Sequence, residues 1–470
     1  MSQSTSKAAP SSAASPSAAG PSGPNPSTAT AFAASQPRRW TMRPQDGMWL
    51  QDTPQNLMVV NSVTTLDQID LETLRRLWDE RVMQLEGGNR FPRFRWRVAQ
   101  DERGVFWQEA LDFDLANHVV ESPEANAIDT KEKLQDYVGA LASKPLAREL
   151  PLWRLELIPE FVEGISAIVF RIHHCMGDGI ALIPLLFSLM DRDNPAIDEF
   201  ANPSVEVGAG KSGRSKLAVN TLAALAGGPV LLGKALALPD NSSLHGPECG
   251  GEKKVAWTDP IDLALIKRAK NGFGATVNDV LMACIAGGFQ RYAEAHDGEA
   301  LSRLRVSMPV NVRWPTEPLT MENRFATVLL KLPASESDLK ERVLATKQRM
   351  DRLKRSVEPI VMFGAQNLLL YTLPSKIGRR LVDFFGNKTT CVLTNVPGPQ
   401  FPLFVDGRRV RGMIFWVPQR GKIGIGVSVL SFAGTVRVGV IADTVLVPNP
   451  SELVAAFEQE LQDLQRRLDG

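Results

Sequence analysis

Two adjacent histidines, His173 and His174, stand in the stretch RIHHCMGDGI, Arg171 to Ile180, and the 470-residue chain holds only three more, His118, His245 and His296. An imidazole titrates near pH 6.5, so one held rigidly can take and return a proton around neutrality. The β-branched, apolar run ISAIVFRI, Ile165 to Ile172, reads as a strand buried on both faces and leading into the pair. Beyond the Gly177-Asp178-Gly179 turn, IALIPLLFSLM reads as a helix starting near Gly179, with Pro184 as a kink. Asp178, four residues past His174, is placed to cap that helix, to orient the imidazole, or to pair with an arginine such as Arg171. Metal ligation by His174 and Asp178 is the rival chemistry, but no third ligand stands at a useful spacing, so no metal is expected. Cys175 offers a thiol beside the base. Neighbours on an extended strand face opposite ways, so it should point away from His174.

The elements that must position this turn fall into two folded units. Residues 1 to 38 are almost wholly Ser, Ala, Pro, Gly and Thr, a composition too poor in apolar groups to fold, and they lack the apolar core of a secretory signal. The first unit, 39 to 202, carries LETLRRLWDERVMQLEG, whose apolar residues recur every three or four positions behind Asp70 as N-cap, and the strands FRWRVAQ and GVFWQEA. Residues 203 to 254 read as a turn-rich linker around one apolar segment, Leu217 to Leu238, that Asn220, Gly227-Gly228-Pro229 and Lys234 make a poor membrane span. The second unit, 255 to 470, has the helix NDVLMACIAGGFQRYAEA, capped by Thr276 or Asn278, and the strands VSMPVNV, TVLLKLP and TCVLTNV. It closes with a hairpin turning at Ala433-Gly434 and a helix after Ser451. Both units mix strands and helices, an α/β class. A net charge of +1 gives no reason to expect nucleic acid. Four scattered cysteines, without a CxxC pair, suit a reducing compartment.

The order of several short motifs adds a resemblance. HHxxxDG is the signature of CoA-dependent acyltransferases of the chloramphenicol acetyltransferase and condensation-domain type. With PLWRLELI before it and TVNDVLMACIAGG, MPVNVR and TNVPGP after it, the chain resembles the wax ester synthase / diacylglycerol acyltransferase family from about residue 43 to 468. Taken alone, PLW reads as packing, NDV as a helix start and NVPGP as a turn. The resemblance implies two chloramphenicol-acetyltransferase-like α/β sandwich lobes with a tunnel between them. It implies an O-acyltransferase moving a long-chain acyl group from acyl-CoA, a substrate rather than a cofactor, to a fatty alcohol or a diacylglycerol.

Carried over residue by residue, the resemblance makes His174 the general base, His173 a less critical neighbour and Asp178 chiefly structural. Pro151, Leu152, Trp153 and Gly179 fall with substrate-binding positions. Asn278, the expected oxyanion donor, and Asp279 match the Asn-Asp pair, and Asn395 matches a late asparagine. The chain departs from the family at Glu322-Asn323, where Gly-Asn is common, and at Thr394, a frequent serine. Lipid acceptors imply a cytoplasmic protein held peripherally on a membrane or lipid inclusion. Leu217 to Leu238 and PIVMFGAQNLLLYTLPSKIGRRL, whose apolar residues precede Lys376, Arg379 and Arg380, are the candidate contacts. Alternatives are a carrier-protein donor, an amine acceptor, or a lipid-binding protein without catalysis.

Overall fold

The computed structural model describes residues 36–192, 244–298, 303–313, 319–372 and 386–470, with a few isolated positions between them. The low-complexity tail and the segment Leu217 to Leu238 lie outside the described residues.

Two sheets organise the chain from Arg38 onward. In the first, the histidine strand Ile165–His173 is central, paired antiparallel with Val59–Asp67 on one side and Trp153–Val162 on the other. Six of its nine residues are buried, as an interior apolar strand requires. Val119–Glu121 closes that side of the sheet. The opposite side is completed from far along the chain: Arg408–Trp416 pairs with Val59–Asp67, placing Trp416 opposite Asn61, and Phe404–Val405 lies outside it. The expected boundary at 254/255 therefore does not hold strand by strand.

The second sheet runs in the order Phe325–Leu332, Leu304–Asn311, Cys391–Pro397, Ile425–Phe432, Thr435–Asp443, Lys253–Trp257, with Ile261–Asp262 also pairing with Thr435–Asp443. Lys253–Trp257 begins inside the stretch read as linker. A third sheet joins Arg39–Thr41, Gly104–Glu109 and Trp96–Asp101. The hairpin turns at Ala433 and Gly434, at φ 47° and 81°, the left-handed pair a two-residue turn demands.

Strand alternation gives the second sheet two different faces. Val306, Cys391, Leu393 and Val328 point into the core built on the helix Val277–Asp297. Ser307, Val392 and Leu329 point the other way, towards the histidine turn. Thr276 caps that helix in a reciprocal box with Asp279. Asp70 caps Leu71–Trp78 as expected, through the Thr73 N–H. The last helix begins at Pro450 rather than after Ser451, and Asn449 caps it, its side chain accepting from the Ser451 N–H. The helix after the histidine turn spans Ile183–Leu189, so Pro184 sits in its first turn, where a missing N–H costs nothing, and produces no kink.

Candidate active site

The histidine strand ends at His173, and His174 to Met176 form one tight 3-10 turn. His174 reaches a cavity of about 190 Å³ between the two sheets. Met48 and Trp49 flank the imidazole. Ser307, Pro309, Phe325, Thr327 and Leu329 come from the second sheet, and Met362, Ala365, Gln366 and Leu370 from the helix Glu358–Thr372. Val392, Val417, Pro418 and Ile423 add to a wall that is mostly apolar.

The His174 ring lies flat on Trp49, with centroids 3.8 Å apart and planes 16° apart, and Phe325 leans over it at 6.0 Å. Its Nδ1 is 2.9 Å from Asn323 Oδ1, and no described protein group bonds Nε2. Burial, only partly offset by the charge of Asp178 and the Asn323 bond, brings the pKa of His174 down to about 4. The imidazole is therefore neutral near pH 7 and able to accept a proton.

Asp178 is buried and fully bonded. One oxygen accepts from the Ala181 N–H at 2.9 Å; the other accepts from Arg313 Nη2 at 2.8 Å and the Arg324 N–H at 2.7 Å. Its partner is thus Arg313, from the second lobe. Arg171 instead donates to Asn61 Oδ1 and the Lys144 carbonyl. The cap it forms is local, since the helix begins five residues later. Gly179 is exposed on the turn between them.

His173 turns from the cavity to Asp52, with Nε2 3.0 Å from Oδ2 and Nδ1 accepting from the Cys175 N–H. Cys175 is buried in the first-lobe core, which pushes its thiol well above the usual range. The strand has ended before it, so the turn rather than strand alternation directs it away. Leu152 and Trp153 are core side chains. Trp153 stacks on Trp78 and His118, and the Leu152 carbonyl accepts from the His173 N–H. With Pro151, they anchor the histidine strand without lining the cavity.

Asn395 Nδ2 donates to Asn278 Oδ1 at 2.8 Å, which brings the two asparagines together. Alternation places Asn395 on the side of Cys391 and Leu393, the helix-packed face, while the cavity is on the Val392 side. The oxyanion role expected of Asn278 gains no support from this placement. Asp279 uses Oδ2 in the capping box with Thr276, while its Oδ1 is buried with no partner among the described residues. Sequence reasoning missed Trp49, Phe325, Asn323 and Arg313. Two of them carried a signal: Asn323 stands in the Glu322-Asn323 pair, and Arg313 ends the motif MPVNVR. Among the described residues no cluster of three metal-ligating side chains occurs.

The chain is similar to known proteins. The model of the wax ester synthase/diacylglycerol acyltransferase catalytic domain matches residues 42–238, and that of the WS/DGAT C-terminal domain matches residues 321–465. A probable diacylglycerol O-acyltransferase of Mycobacterium tuberculosis, tgs1, is 26% identical over 380 residues, covering 76% of this chain and 81% of its own. A second from that organism, tgs2, is 24% identical over 77% of this chain and 84% of its own. Among solved structures, a wax ester synthase/diacylglycerol acyltransferase from Marinobacter aquaeolei superposes with a TM-score of 0.66 at 19% identity, over 92% of this chain and 100% of that one. The first condensation domain of the calcium-dependent antibiotic synthetase superposes at 0.59 and 16% identity, over 91% and 95%.

Proposed function

The chain belongs to the wax ester synthase/diacylglycerol acyltransferase family and is an acyltransferase, and from that premise we propose that it moves a long-chain acyl group from acyl-CoA to a fatty alcohol or a diacylglycerol, with His174 as general base. The observation that carries the reading is the neutral imidazole of His174 in the wall of an apolar cavity between the sheets, with Nε2 unclaimed by any described protein group. Nε2 takes the hydroxyl proton as the alcohol oxygen bonds to the thioester carbonyl carbon. The resulting tetrahedral intermediate collapses, the C–S bond breaks, and the imidazolium returns the proton to the thiolate. No covalent enzyme intermediate is needed, so both substrates bind together. The oxyanion wants a donor from the cavity wall, where Ser307, Thr327 and Gln366 supply hydroxyl and amide groups.

The test is incubation of purified protein with a labelled long-chain acyl-CoA and, separately, hexadecanol or a diacylglycerol. Labelled ester should form with at least one acceptor. His174→Ala should lose about 10²–10⁴-fold in rate while still binding acyl-CoA, and His173→Ala should lose less. Absence of ester with both acceptors, or a fully active His174→Ala enzyme, overturns the reading.

The acceptors dissolve in lipid rather than water, so we further propose that the cavity is loaded at a lipid surface. What supports this is the two-faced helix Glu358–Thr372. Met362, Ala365 and Leu370 line the cavity, while Ile360, Leu368 and Tyr371, spaced along the outer face, are 55%, 64% and 63% exposed. Among the described residues no single helix is long and apolar enough to cross a membrane, so the contact proposed is peripheral.

A further inference from the structure

An imidazole serves as a base at Nε2 only in the tautomer that carries its hydrogen on Nδ1, and what the Nδ1 side meets decides that tautomer. His174 Nδ1 meets the side-chain amide of Asn323, whose two ends could face either way by shape alone; their partners must assign them. Asn323 Nδ2 lies 2.9 Å from Asp46 Oδ1 and 2.8 Å from the His174 carbonyl oxygen. Both partners only accept, so the NH₂ end must face them. The oxygen end then faces Nδ1, which must donate.

The amide is held in turn. Asp46 is wholly buried in the short helix Pro44–Gly47, and its Oδ1 also accepts from the Asn323 main-chain N–H at 3.0 Å. Its other oxygen accepts from Arg93 Nη2 at 2.7 Å. A carboxylate so deeply buried is tolerable only with such partners. Arg93, itself buried, uses Nη1 to hold the carbonyls of Cys175 and Met176, at 3.2 and 3.1 Å, the turn that carries the imidazole. Trp49, three residues past Asp46, fixes the plane of the ring by stacking.

We propose that Arg93, Asp46 and Asn323 form a positioning chain that locks His174 as the Nδ1–H tautomer and so directs the Nε2 lone pair into the cavity. The chain rests on the reading of His174 as base, and none of its three members touches substrate. In Asp46→Asn, Arg93 would claim the amide oxygen, leaving the NH₂ group towards Asn323. The Asn323 NH₂ would then keep only the His174 carbonyl as acceptor, while turning the amide over would set its oxygen against that carbonyl, so neither orientation is fixed and both His174 tautomers become populated.

The experiment uses full-length ¹⁵N-histidine-labelled protein near neutral pH and two-bond ¹H–¹⁵N correlation, which distinguishes protonated from unprotonated ring nitrogens. Five histidines give few signals, and His174→Ala identifies the relevant set. Wild type should show Nδ1 protonated. Asp46→Asn and Asn323→Leu should each show a mixture of the two tautomers. In both, kcat should fall several-fold in step with the Nε2–H fraction, well short of the roughly 10⁴-fold cost of a fully wrong tautomer in a hydrolytic triad, with KM for both substrates unchanged. An Nε2–H wild-type spectrum overturns the proposal without any variant, which covers the case in which neither folds. So does an unchanged tautomer in variants that melt like wild type. An active His174→Ala enzyme, by contrast, would overturn the catalytic reading while the tautomer spectrum still judged the lock.

Discussion

Asp178 and Arg313 meet 2.8 Å apart, both almost wholly buried, and tie the histidine turn of the first lobe to the end of the strand Leu304–Asn311 in the second. Removing one member of such a pair leaves the other charge buried and uncompensated, a cost of about 3–5 kcal/mol. Asp178→Ala should therefore unfold at markedly lower denaturant concentration and lose activity in proportion to folded protein. A variant as stable as wild type yet inactive would mean that Asp178 takes part in the chemistry directly.

Burial brings the His174 pKa down to about 4, which sets a pH profile. The base form persists down to that pH, so kcat/KM should stay flat through pH 5 to 8 and fall only as pH drops through about 4. Stability carries the same sign. The unfolded chain, with histidine near 6.5, binds more protons between about pH 4 and 6.5, so this group's contribution is whole above that window and is lost as pH falls through it. An acid limb near pH 6.5 would show a solvated imidazole instead.

All four cysteines are buried, and burial raises the thiols of Cys175, Cys249 and Cys284, the last to about 12. A thiol alkylates through its thiolate. Iodoacetamide near neutral pH should leave the native enzyme fully active and react with four thiols per chain only after denaturation. Rapid inactivation tracking the labelling of Cys175 would reopen a covalent mechanism.

Replacing Ile360, Leu368 and Tyr371 together with serine removes the exposed apolar stripe while sparing Leu370 in the cavity wall. Co-sedimentation with vesicles containing anionic lipid should drop several-fold, with the melting temperature and the rate on a short, water-soluble alcohol retained. Unchanged vesicle binding would remove this helix from the lipid contact.

Much of this was written in the sequence wherever a local rule governed. Asp70 and Thr276 announced their helices through capping chemistry, Ala433-Gly434 announced a hairpin, and the run into His173-His174 announced a buried strand ending in a turn. What periodicity could not show was which distant partner each polar group would find. Asp178 has Arg171 seven residues away in sequence but pairs with Arg313, 135 residues on, because the two lobes close on the turn. The Asp46–Asn323 contact spans 277 residues and has no local signature at all. Asn278 and Asn395 looked alike as motif residues, and only the handedness of alternation along Cys391–Pro397 assigned them to the helix face.

The strand Arg408–Trp416 also has a bearing on how the protein comes off the ribosome. Val59–Asp67 emerges early, yet one of its two neighbours is made some 350 residues later, when Trp416 appears opposite Asn61. Until then the first sheet has an open edge, a template for pairing with other nascent chains. The first half made alone, as residues 39–254, keeps that edge permanently. It should aggregate on synthesis, and adding Phe404–Trp416 as a separate peptide should restore solubility by occupying the missing lane.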